Sequence, residues 1–198
     1  MVPTFKVKDY IGINGVGLNQ LIHPHFEKWF DYIINEYEKP EKNNVIFLPC
    51  AAIKPYNNSP LHKKINEVLS KYENNLHKVV ISNAGIIPYE FIEYYPFESY
   101  DWNPAFEDNI SKELYYNTTL VRLRLFLKTH KYREYFSYLN PDSLSFKALK
   151  NACKTFNYNL HHPKTIKLDY KRKDPDLLLI HPKNLDNLDN LLKQVIKL

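Results

Sequence analysis

Apolar positions fall into two kinds of block along this chain. From about His25 to Tyr37, Phe26, Trp29, Phe30, Ile33, Ile34 and Tyr37 recur at three- and four-residue steps, the period of one helical face. Pro40 then ends the pattern. Val45-Ile46-Phe47-Leu48 is instead a continuous apolar run, as in a strand covered on both faces, and Val79-Val80-Ile81 is a second one. Between them Ser59 suits an N-cap and Pro60 the first helical position, with Leu61, Ile65, Val68, Leu69 and Tyr72 as the apolar stripe. Strand, helix and strand at this spacing predict a βαβ unit with a parallel sheet.

A long helical pattern follows from about Asp108 to His130, then a strand around Tyr135 to Tyr138 and a helix from about Ser143 to Thr155. Leu177-Leu178-Leu179-Ile180 reads as a third buried strand. Leu188, Leu191, Leu192, Val195 and Ile196 then mark one side of a closing helix. The expected fold class is α/β, a three-layer α/β/α arrangement with a mainly parallel central sheet. No repeat or low-complexity linker divides the chain, so a single domain over residues 1–198 is expected. Ligands in such sheets sit outside the carboxyl ends of the strands, which directs attention to the loops after Leu48, Ile81 and Ile180.

Composition narrows the picture. With 44% hydrophobic and 25% charged residues over 198 positions, the chain is folded and needs no disulfide or metal to complete its core. Cys50 and Cys153 fit no metal or redox spacing and are expected to be reduced thiols in a cytoplasmic protein. Neither a signal peptide nor a membrane span is expected, since Met1 to Tyr10 has no apolar stretch and no longer run is apolar enough. A net charge of +5 permits an anionic partner without requiring one. The only arginines are Arg122, Arg124, Arg133 and Arg172, so phosphate contacts would fall mostly to Lys.

The loop after the first strand is chemically dense: Cys50, Lys54, Tyr56, Ser59 and His62 place a thiol, an ammonium, a phenol, a hydroxyl and an imidazole within thirteen residues. A thiol near Lys54 and a helix N-terminus is a better thiolate than an ordinary cysteine, because both positive sources stabilise the anion. Cys50 is thereby a candidate nucleophile or a small core residue. His62 is a candidate for proton exchange or a helix surface residue, and Lys54 is a candidate anion clamp.

Pro49, Cys50, Lys54, Pro55, Tyr56, Ser59 and His62 together match the pattern Pro-Cys, three residues, Lys-Pro-Tyr, two residues, Ser, two residues, His. In this the chain resembles the archaeosine synthase family. Gly85, Pro88 and Glu90, then Tyr95-Pro96 and Tyr100-Asp101, look like a second family segment, and His23-Pro24 fits upstream. The resemblance covers about residues 22 to 140. Tyr89 stands where the family usually has a basic or small residue, and Trp102-Asn103-Pro104 is also this chain's own version.

The resemblance implies a core similar in fold to uracil-DNA glycosylases. It also implies a substrate, tRNA carrying 7-cyano-7-deazaguanine at position 15. Free L-lysine is joined to the nitrile, and a partner radical S-adenosylmethionine enzyme converts the adduct to archaeosine. Cys50 is then either the nucleophile of a transient thioimide or a packing residue beside the nitrile. His62 and Asp101 are the candidates for handling protons. Lys54, Tyr56, Ser59, Gly85 and Glu90 are the candidates for holding base or lysine, and His181 joins them if the Leu177–Ile180 run ends as a strand does. No metal or other cofactor is implied, and a homo-oligomer is possible. The family's transglycosylase-like and RNA-binding PUA domains are not expected within these residues, which makes a partner for tRNA capture the expectation. Competing readings are an accessory RNA-binding subunit and, by fold analogy alone, a nucleobase glycosylase. Neither needs thiol, amine and imidazole kept together.

Overall fold

The computed structural model describes residues 1–9, 12–166 and 175–196. A one-turn helix, α1 (Leu18–Leu21), leads into α2 (Pro24–Asn35), which His23 caps by accepting the His25 N–H. The sheet has five strands: β1 (Asn44–Pro49), β2 (Leu76–Ser82), β3 (Gly85–Pro88), β4 (Glu134–Ser137) and β5 (Leu160–His161). Their order is β3-β2-β1-β4-β5. β1 pairs in parallel with β2 and β4, and β4 with β5; β3 alone runs antiparallel, folded back on β2. The fold is therefore α/β with a mixed, mostly parallel sheet.

The expected βαβ unit is present. Ser59 caps α3 (Pro60–Leu69) by accepting the Leu61 N–H at 3.2 Å, with Pro60 at the start. α4 (Asn109–Thr129) is bounded by Asp108 and His130, and α5 (Leu144–Thr155) is capped by Ser143. All six residues of β1 are buried, so both sheet faces are covered. α3 packs with α6 (Pro182–Val195), whereas α4 packs with α5, α2 and α1.

From β1 the chain passes through α3 to β2 on one side, while β4 sends α5 outward to β5 on the other. Neighbouring strands whose connections depart in opposite directions define a switch point, where a crevice opens at their carboxyl ends. Here those ends are Pro49-Cys50 and Ser137-Tyr138.

The third apolar run departs from expectation. Pro175–Ile180 is a 3₁₀ helix, not a strand. Its carbonyls are satisfied by side chains: Leu179 O accepts from the Tyr138 hydroxyl at 2.6 Å and Leu178 O from Asn184 Nδ2 at 2.8 Å. Asn184, itself fully buried, also accepts the Ile166 N–H at 2.7 Å. Asn184→Ala would orphan buried backbone groups and is expected to cost about 2–3 kcal/mol. A urea midpoint unchanged from the parent would show that these bonds are not needed.

Candidate active site

The loop after β1 brings most of the motif together. Cys50 follows the last strand residue and is half-buried. Lys54 Nζ lies 4.0 Å from the centroid of the Tyr100 ring. Burial lowers the Lys54 pKa, and attraction to Cys50 and then to Asp101 works in the opposite direction. The ammonium is thus close enough to feel both groups while losing much of its water. Asp101 is exposed at the rim, and its N–H donates to Ile13 O at 3.0 Å. The 12–14 segment of the head therefore borders the site.

Beneath Lys54 is a buried layer of phenols. The hydroxyls of Tyr56 and Tyr100 are 2.6 Å apart, and the Ser82 side chain beside them works to lower both phenols. Burial first, and Cys50 among the further causes, pushes both phenols upward. Tyr115 of α4 is raised by burial and by Cys50 as well, and its hydroxyl lies 2.6 Å from Ser145 Oγ at the start of α5. These three rings remain neutral and bear hydroxyls, forming a polar but uncharged layer under the Cys50 loop.

His62 is fully buried, with its ring between Tyr56 and Tyr89 at centroid distances of 5.2 and 5.7 Å. Its Nε2–H donates to Pro49 O at 2.9 Å, and Nδ1 accepts from the Tyr89 hydroxyl at 3.3 Å. The chain of bonds continues outward, because Asn66 Nδ2 donates to Tyr89 at 2.8 Å and Lys78 donates to Asn66 Oδ1 at 3.0 Å. Tyr89 thus has a task in supporting His62, and His62 holds the carbonyl immediately before Cys50.

Burial pushes His62 down to about 4 against the partial help of the Pro49 bond. Between the ordinary histidine value and that depressed one, the unfolded chain binds a proton that the folded chain refuses. Stability from this residue is complete above pH ~6.5 and falls as pH drops toward 4, by about 3 kcal/mol in all. His62→Gln is expected to flatten this part of the pH-stability curve, measured by urea unfolding. An unchanged slope would assign the acid sensitivity elsewhere.

Other expected site residues lie elsewhere or have local tasks. Ser59 is buried at the α3 cap. Gly85, with φ of 139°, closes the two-residue turn between β2 and β3, where a side chain would be strained. Glu90 sits at the far end of the sheet. It accepts from the Tyr37 hydroxyl and lies 3.3 Å from His77 Nε2, near the start of β2. Burial works to raise its carboxyl, but the His77 and Tyr37 contacts prevail and hold it below the ordinary value. The placement of Glu90 with the base or lysine is thereby corrected, since β3 runs antiparallel and carries the residues after Pro88 away from Cys50. The strand expected ahead of His181 is corrected: His181 follows the 3₁₀ helix and caps α6 by accepting the Lys183 N–H at 3.3 Å. Ser82 and Tyr115, absent from the expected set, join the site through packing between distant segments. In the sequence Tyr100 stands out only by its place before Asp101.

Among the described residues no cluster of His, Cys, Asp or Glu has the makings of a metal site. No helix among them is long and apolar enough to cross a membrane.

An α/β domain with a thiol, a half-buried lysine and a phenol layer at the crevice of its sheet is the class defined so far. Residues 26–167 match the family described as a domain of unknown function, DUF5591, and the chain belongs to that family. The chain is 33% identical over 93 residues to archaeosine synthase subunit alpha of Thermoplasma acidophilum, which is 46% of this chain and 18% of that protein. The protein of the same name from Methanosarcina acetivorans is 33% identical over 101 residues, covering 50% of this chain and 16% of its own length. Archaeosine synthase of Haloferax volcanii is 30% identical over 76 residues, 38% of this chain and 12% of that protein. The chain thus spans under a fifth of the length of these curated relatives. In fold it is similar to the crystal structure of AF0587, a protein of unknown function, with a TM-score of 0.58 and 19% identity over 85% of this chain and 49% of that one.

Proposed function

We propose that this chain is a lysine-transferring core of archaeosine biosynthesis, acting on the nitrile of 7-cyano-7-deazaguanine in tRNA. On this reading the scaffold is of the uracil-DNA-glycosylase type, and a radical S-adenosylmethionine enzyme completes the conversion. The observation that supports the reading is Lys54, half-buried with its Nζ 4.0 Å from the Tyr100 ring centroid in the same loop as Cys50, where the charges of Cys50 and Asp101 favour its ammonium. A nitrile carbon is a weak electrophile, and its nitrogen must gain a proton as the carbon is attacked.

Cys50 sulfur adds to the nitrile carbon while the Lys54 ammonium delivers a proton to the nitrogen, giving a thioimide and a neutral Lys54. The amine of free lysine, having surrendered a proton to Asp101, then attacks the same carbon. The C–S bond breaks, the amine's remaining excess proton passes to Lys54, and the sulfur leaves as a thiolate. Asp101 passes its proton to the more basic amidine nitrogen, so the products are the lysine-linked amidinium, a regenerated thiolate, the Lys54 ammonium and the Asp101 carboxylate, and atoms and charge balance. Tyr56, Tyr100 and Tyr115 supply a neutral polar wall for the base. We assign His62 to positioning rather than proton exchange, since its ring is buried and both nitrogens are engaged.

The test is incorporation of labelled lysine into tRNA carrying 7-cyano-7-deazaguanine, with guanine-15 tRNA as control. Label confined to the nitrile-bearing tRNA is the expected result. No transfer, with or without the radical partner, would overturn the catalytic reading and favour an accessory subunit.

A further inference from the structure

The charge of this protein is not spread evenly. Residues 124–166 contain eight Lys and Arg against two acidic residues, Glu134 and Asp142, a net of +6 where the whole chain carries +5. Glu134 is already engaged by His161 and Arg133. Lys147, Lys150 and Lys154 are exposed along α5, and none forms an ion pair among the described residues. Arg124, Lys128 and Lys131 extend the same region at the end of α4, which packs on α5; Arg124 Nε donates to Thr155 Oγ1 at 3.3 Å.

A cleft of about 710 Å³ opens in this region between α5 and the edge strand β5. Lys150 and Lys154 line it with the amides of Asn151 and Asn159, the Tyr158 ring and His162, and no acidic side chain lines it among the described residues. Tyr158 is held rigidly, stacked on Tyr135 at 4.4 Å and bonded through its hydroxyl by Lys131 at 2.6 Å. His162 Nδ1–H donates to Ser137 O at 3.2 Å, and its buried Nε2 has no partner among the described residues.

We propose that this cleft is a docking groove for a ribose-phosphate chain, distinct from the crevice that holds Cys50. Lysines for phosphate and amides for base edges, beside a fixed aromatic ring, match RNA better than they match an acidic protein, which offers no bases. The choice of RNA over other polyanions rests on the tRNA-modifying reading; the groove itself does not.

The experiment is fluorescence-anisotropy titration of an unmodified RNA hairpin with the full chain over a range of salt concentrations. The charge-reversed pair Lys150→Glu and Lys154→Glu should weaken binding at least about tenfold and reduce the slope of log affinity against log salt by about 2. Lys63→Glu with Lys64→Glu, on exposed positions of α3, should leave binding near the parent value, and circular dichroism checks that both variants fold. The parent should also prefer the hairpin to DNA of the same sequence, and polyglutamate of matched charge should compete poorly. The groove is overturned by a parent that does not bind, by unchanged affinity in the α5 variant, or by equal loss in the α3 control. Equal competition by polyglutamate would overturn the RNA assignment in favour of an acidic protein. Because the hairpin carries no nitrile, lysine transfer can fail while this groove stands, and the reverse also holds.

Discussion

Cys50→Ala should lower lysine incorporation by a thousandfold or more, on the order of what removing a covalent nucleophile costs an enzyme. The thioimide route depends on this sulfur alone, because the phenols around it are raised by burial and stay protonated. Cys153 offers no substitute: it is buried in α5, and burial pushes its thiol up to about 12. Alkylation at neutral pH should therefore mark Cys50 and spare Cys153, and brief alkylation should abolish transfer. Intact-protein mass spectrometry of the parent with the free nitrile base should show an adduct on Cys50. Transfer within a few-fold of the parent in Cys50→Ala would instead make the residue a wall of the pocket and the lysine attack direct.

Lys54→Met should reduce turnover by about 10²–10⁴-fold, the range for a lost proton donor in a shielded site. The substitution keeps much of the stem over Tyr100 and removes the charge. Lys54→Arg keeps the charge but does not release a proton at any ordinary pH, so it distinguishes proton delivery from simple attraction. If Lys54 is the acid, Arg fails to rescue. Activity requires the ammonium form, and burial lowers its pKa. The parent should thus lose activity as pH rises through a value below the ordinary 10.5, and this limb should be missing from the residual rate of Lys54→Arg. Full rescue by Arg would reduce Lys54 to an electrostatic anchor.

Local patterns made part of this legible. Ser59 followed by Pro60 is a helix start whose chemistry acts within three residues, and the apolar runs of β1 and β2 are long enough to read as buried strands. Leu177–Ile180 misled because four apolar residues in a row do not distinguish a strand from a 3₁₀ turn. What decides is the distant Asn184 and Tyr138, which take up its carbonyls. β5, of two residues, is too short to leave a pattern. The site divides in the same way. Cys50, Lys54, Tyr56, Ser59 and His62 are close in sequence and are found near one another, whereas Tyr115 arrives from the middle of a long helix with nothing local to mark it. Glu90 sits two residues beyond Pro88, and only the reversal of β3 reveals that it faces away.

That reversal has a consequence for how the protein tolerates change. The His77–Glu90 pair and the Cys50 loop are separated by the run of β2 from His77 to Ile81, about 13 Å of extended chain. At such separation the free-energy effects of substitutions add with little cross-talk. Variation around Tyr37, His77 and Glu90 can therefore shift the acid tolerance of the scaffold while the chemistry at the other end is left alone, giving one small sheet two independently adjustable ends.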